Sequence, residues 1–196
     1  LSSFGSTLST YSRATNTWTS PKSLTGGTVS SNSMMKMIEG KDEFVIMITS
    51  TTIYNIAYQG GGVFTELRRG DPPTPTSFFT GLAIDPQGEY IIPSRFGEMI
   101  RINDFQLETK LSGDSTTNSG NRIWDFTSRG RQILLISNAF PQRIFMYDRS
   151  SFKLNYSETL SQLFFAEGFV KVDDINYLVI RKNETPFQII LSPLPD

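Results

Sequence analysis

The sequence contains neither histidine nor cysteine. Without them the chain has no thiolate nucleophile, no Ser-His-Asp triad, no disulfide and no structural zinc site of the usual Cys/His kind. Acid-base or metal chemistry would therefore fall to carboxylates. Glu39, Asp85, Asp125 and Asp173-Asp174 recur at comparable places along the chain. A calcium ion needs several such oxygens converging within coordination distance. Each residue also has an ordinary explanation: Asp85 opens an Asp-Pro-Gln-Gly turn, and Asp125 can accept backbone hydrogen bonds. The expectation is no catalytic residue, no cofactor and no metal, with calcium as the ion to test.

A second group of polar residues follows short apolar runs at a common register: Thr49-Ser50, Ser94-Arg95, Ser137-Asn138 and Arg181-Lys182. Arg95, Asn138 and Arg181 are the candidates for a binding ring that could hold a carboxylate, sugar or phosphate. Solvated hairpin residues would give the same pattern. Two sequons, Asn155-Tyr156-Ser157 and Asn183-Glu184-Thr185, make Asn155 and Asn183 candidate glycan acceptors, the second weakened by Pro186. Lys plus Arg number 18 and Asp plus Glu 19, so no strong field of either sign gathers nucleic acid. Arg68-Arg69 beside Asp71 is too small a basic spot to change that expectation.

The elements that carry these residues are strands. Fifteen Phe and seven Tyr, with abundant Ile, Leu, Ser and Thr, suit pleated and half-buried surfaces. Gly81 to Leu111 holds four short runs: Leu82-Ala83-Ile84, Tyr90-Ile91-Ile92, Met99 to Ile102, and Phe105 to Leu111. Asp85 to Gly88, Arg95-Phe96-Gly97 and Asn103-Asp104 separate them as turns. Arg122 to Leu160 repeats the pattern. There Gly130 aligns with Gly88, Ile133-Leu134 with Ile91-Ile92, Ile144-Phe145-Met146 with Ile100-Arg101-Ile102, and Asp148 with Asp104. A third copy spans Met34 to Arg69, and a fourth, Leu163 to Leu191, stops after its third strand. Thr7 to Arg13 and Asn16 to Thr19 read as the last two strands of a preceding copy.

Four strands in a period of roughly 40 to 45 residues is the spacing of propeller blades. The run GLAIDPQGEYII…GEMIRIND resembles a blade of the NHL and YVTN-type propellers, and Phe145-Met146-Tyr147-Asp148 is similar to the third-strand ending of those families. Tyr11 to Trp18 is also similar to part of a kelch repeat, yet the doublets Gly26-Gly27 and Gly60-Gly61-Gly62 do not follow a second strand as kelch blades require. The resemblance implies an all-β fold, a β-propeller of four-stranded antiparallel blades, partial or open, with three full blades and two partial ones. The expected boundaries are 1–25 (partial), 34–70, 78–115, 122–160 and 161–196 (partial). Gly70 to Thr76 and Ser112 to Asn121 serve as linkers, and Trp18 and Trp124 as packing between blades.

The resemblance names a fold and no activity; a repeat scaffold without the usual catalytic residues points to a non-catalytic scaffold for protein or glycan binding, or for assembly through open blade edges. The sequons and the Ser/Thr-rich surface point to a secreted or cell-surface setting. No apolar run reaches the roughly 18 residues of a membrane span, and a start at Leu1 suggests preceding sequence outside the chain. Six-bladed calcium-dependent lactonases resemble this chain in fold and use Glu, Asn and Asp ligands at inner loops. The motifs that carry those ligands have no counterpart here. A metal-dependent hydrolase and a filament or shell subunit are the alternative functions.

Overall fold

The computed structural model describes residues 7–20, 22–23, 33–48, 52–71, 82–93, 97–111, 122–127, 132–137, 143–159, 166–171, 176–181 and 188–193. The chain is all-β, and no helix occurs among the described residues. Strands β1 (Thr7–Leu8) and β2 (Tyr11–Ser12) fold back on β3 (Thr17–Trp18) and β4 (Lys22–Ser23), giving nested antiparallel pairs. Paired hydroxyls hold that N-terminal hairpin between its two ladders: Thr19 Oγ1 accepts from the Thr10 amide at 2.9 Å.

Three antiparallel meanders of four strands follow. The first contains β5 (Met34–Met37), β6 (Glu43–Ile48), β7 (Thr52–Tyr58) and β8 (Phe64–Gly70). The second contains β9 (Ala83–Ile84), β10 (Tyr90–Ile92), β11 (Glu98–Arg101) and β12 (Leu107–Lys110). The third contains β13 (Arg122–Phe126), β14 (Gln132–Ser137), β15 (Arg143–Asp148) and β16 (Leu154–Thr159). A three-stranded sheet of β17 (Ala166–Lys171), β18 (Asn176–Arg181) and β19 (Gln188–Pro193) completes the described chain.

Alternation sends the side chains of the first two meanders to two different cores. On the first meander Phe44, Ile46, Tyr54, Ile56 and Phe64 bury Leu8 of the N-terminal hairpin. Its opposite face, with Val45, Met47 and Ile53, packs on Ile84, Ile91, Ile100 and Ile102 of the second. The other face of the second, with Ala83, Ile92 and Met99, packs on Trp124, Ile133, Leu135, Phe145 and Tyr147 of the third. A face that would be wet on an isolated meander is thus covered by the next one in sequence. The first strands also lie together: β9 is against β5 and β13, and β13 against β17.

The turn expected at Asp85 to Gly88 forms. The Gly88 amide donates to the Asp85 carbonyl at 2.7 Å, and the Glu89 amide reaches the Asp85 carboxylate at 3.3 Å. The five-residue turns after β11 and β15 are alike, each placing a phenylalanine at positive φ: Phe105 (54°) and Phe152 (57°). A bulky residue is strained there. Packing holds it in place, Phe105 inside the core and Phe152 edge-on to Tyr90 at 6.1 Å.

A bulge interrupts each ladder between the third and fourth strands at the same point. The shift falls between Asn55 and Ile56, between Met99 and Ile100, and between Met146 and Tyr147. It corrects part of the repeat alignment. Ile91 pairs with Ile100 and Ile133 pairs with Tyr147, so Tyr147, rather than Ile144, stands where Ile100 stands. Likewise Asp148 occupies the place of Arg101, not that of Asp104. Each accepts the amide of the phenylalanine that ends its turn, through its backbone carbonyl. The extra residues needed for this shift lie in the strands themselves, β14 and β15 having six residues each where β10 has three and β11 four.

Candidate functional site

Arg95 and Asn138 lie outside the described residues, as do Asn183, Asp173 and Asp174. Arg181 is the last residue of β18, paired across the ladders with Ala166 and Gln188. Asn155 is described and exposed. It is the residue extruded by the bulge of β16, because Met146 faces Tyr156 and Tyr147 faces Leu154.

Of the candidate carboxylates, Asp85 and Asp125 are engaged. Asp85 is fully buried, and Arg149, from the turn after β15, meets it through Nε at 3.2 Å and Nη2 at 2.7 Å. The same guanidinium lies 5.0 Å over the Tyr90 ring and bonds Glu89. Burial works against the Arg149 charge, but the hydrogen bonds and charges of Asp85 and Glu89 outweigh it and hold its pKa above the ordinary value. Tyr90 is also raised, by burial first and then by the negative charge of Glu108, with Arg149 opposing. Asp125 accepts from the Phe126 amide at 2.9 Å and faces Lys36 of β5 at 3.5 Å. Lys36, Asp125 and the exposed Glu39 border a small cleft of about 200 Å³ beside the first strands. Among the described residues no three carboxylates converge as a metal would require.

The larger concavity lies elsewhere, as an open groove of about 720 Å³ between the first and second meanders. Lys41 and Glu43 enter it from the β5–β6 turn and the start of β6, Asn55 from β7, Arg68 from β8, and Glu89 and Arg101 from the second meander. Asn55 is only 2% exposed; its amide nitrogen donates to Glu43 at 3.2 Å, while its Oδ1 has no hydrogen-bond partner. Arg101 is already committed to Asp104 and Glu108, at 2.9 and 2.8 Å.

Sequence reasoning placed Asp85 and Asp125 correctly as partners of local backbone but missed Arg149 as a bridge and Asn55 as a buried polar residue. No sequence signal marked Asn55, since its equivalents Met99 and Met146 are identified only by the ladder pairing. Trp124 packs between meanders as expected, 6.0 Å from the Tyr147 ring. Trp18 does not: it is 66% exposed, with the Tyr11 ring 5.3 Å away.

Compared with known proteins, the chain matches no family model and no curated protein.

Proposed function

We propose that the chain is a non-catalytic β-propeller scaffold that binds a protein or glycan outside the cell. The observation that carries this reading is the order of packing. Successive four-stranded meanders stack face to face in sequence order while their first strands lie side by side. Blades arranged around an axis have this relation between neighbours. The engagement of Asp85 by Arg149 and of Asp125 by Lys36 favours binding over metal-assisted hydrolysis. The connections that carry Arg95 and Asn138, and the end of β18 at Arg181, follow the second strands of three successive sheets, where a propeller presents ligand-binding loops on one face. Asn155, exposed on a bulge of an outermost strand, suits a glycan and therefore a secreted or cell-surface protein. No helix among the described residues is long and apolar enough to cross a membrane.

A calcium titration followed by thermal melting tests the reading against the lactonase-type alternative. Site-specific binding to the native state must raise the melting temperature. No shift at millimolar calcium is expected; a saturable rise accompanied by ester hydrolysis would overturn the scaffold reading.

One observation favours assembly as a second reading. Trp18 and Tyr11 form an exposed aromatic pair, and β19 has only β18 beside it among the described strands. Mass measured by light scattering over a concentration series should then rise with concentration, and a strict monomer throughout would exclude it.

A further inference from the structure

The same position on the third strand of three successive meanders holds Asn55, Met99 and Met146, all buried, each just before the register shift caused by the bulge of the fourth strand. The second difference lies at the start of the second strand. Glu43 faces Ala57, whereas Tyr90 faces Arg101 at the equivalent pair of the next meander. Between the second and third meanders, Tyr90 and Met99 belong to the packed apolar cluster. Between the first and second, Glu43 and Asn55 border the groove of about 720 Å³. Two apolar side chains at one interface thus have a hydrogen-bonded carboxylate and amide as their counterparts at the interface that carries the groove.

A buried amide oxygen without a donor is costly, and such an atom calls for an occupant that supplies one. Because Asn55 Nδ2 is turned to Glu43, the remaining need is for a donor, a hydroxyl or an amine. The rim selects between these. Exposed Lys41 and Arg68 disfavour an ammonium ligand, while both can donate to hydroxyl or carboxylate oxygens. Leu67, extruded by the bulge of β8, and Ile102 add apolar surface to the same walls. Donors, acceptors and apolar patches in one open cleft of this size match a ligand that is hydroxylated at its edges and aliphatic on its faces.

We propose that the groove between the first and second meanders binds a pyranose sugar, with Asn55 and Glu43 as the inner hydrogen-bonding pair and Lys41 and Arg68 at the rim. This deepens the scaffold reading and rests on it only in taking the protein as a binder.

Saturation-transfer NMR with glucose, N-acetylglucosamine and glucuronate, each free in solution, provides the test. At least one should receive saturation from the wild-type protein. N55M, which installs the residue found at the equivalent places, should weaken that binding by about tenfold or more while keeping the fold. Should N55M fold poorly, R68A at an exposed strand position supplies the same comparison, with a similar loss expected. Binding by the folded variant equal to wild type overturns the proposal. So does an absence of transfer from all three sugars. Calcium-dependent hydrolysis would sink the scaffold reading whatever the groove binds, so the two failures are separable.

Discussion

Arg149 reaches from one meander to the fully buried Asp85 of its neighbour, closing a two-bond contact at 2.7 and 3.2 Å. One interface earlier the corresponding places are taken by Ile102 and Ile38, which pack in the same apolar cluster. The two interfaces therefore solve one packing problem in two ways, with an ion pair and with two isoleucines. Breaking a buried pair strands a charge, whereas replacing both partners with apolar groups can be neutral or stabilising. Arg149→Ala, which leaves the fully buried Asp85 carboxylate without its cation, should cost about 3–5 kcal/mol in urea unfolding. The double variant Asp85→Ile with Arg149→Ile should recover most of that loss. If the single substitution costs less than about 1 kcal/mol, the pair is not a tie between meanders.

Asp148 gives the chain a contribution that is sensitive to acid. The hydroxyls of Ser150 and Ser151, followed by the Ser151 amide, pull its pKa down from 3.8 to about 2. A carboxylate depressed in the folded state stabilises it above the unfolded pKa and loses that effect as pH falls. Stability should therefore decline between about pH 4 and pH 2 through this residue. Asp148→Asn should flatten that part of a stability profile measured by urea melts, and an unchanged slope would remove Asp148 as its source.

Two glycines at positive φ separate strain from collision. At Gly61 (φ 58°) an added Cβ meets nothing within 4 Å. At Gly97 (φ 74°) it meets the Leu111 carbonyl oxygen and the Trp124 ring. Gly61→Ala should cost about 1–2 kcal/mol, the ordinary left-handed penalty. Gly97→Ala should cost clearly more, because backbone cannot yield as a flexible side chain can. Equal losses in thermal melts would show that the Trp124 contact relaxes.

The two tryptophans should report the difference in their settings. Trp124→Ala removes a ring from the core between meanders and should cost about 3–5 kcal/mol. Trp18→Ala removes an exposed ring stacked on Tyr11 and should cost no more than about 1 kcal/mol. Acrylamide should quench Trp18 in the Trp124→Ala protein far more readily than Trp124 in the Trp18→Ala protein. Similar quenching would contradict the exposure assigned to Trp18.

The second strands were the most legible part of the sequence. Phe44-Val45-Ile46, Ile91-Ile92 and Ile133-Leu134 are compact apolar runs, and Asp85 to Gly88 announces its turn through residues with few alternatives. The third strand of the third meander was displaced in the alignment because Ile144-Phe145-Met146 looks as apolar as the true equivalents. Only ladder pairing with Ile133 to Ile136 distinguishes the two registers. Arg149 was legible as a turn residue and not as a bridge, since its partner lies in another meander. Asn55 was hidden for a related reason. A polar residue in a strand reads as outward-facing until the bulge shows which neighbours share its place.

The bulges have a consequence for how the surface can change. Leu67, Glu108 and Asn155 are the residues left without a partner in the three ladders, so none of them fixes the pairing of its strand. Their identities already diverge into an apolar wall of the groove, an acceptor for Arg101 and a sequon. Each meander thus offers one substitutable socket at a constant place in its hydrogen-bonding frame. New surface chemistry can be installed there without renegotiating the register of the sheet beneath it.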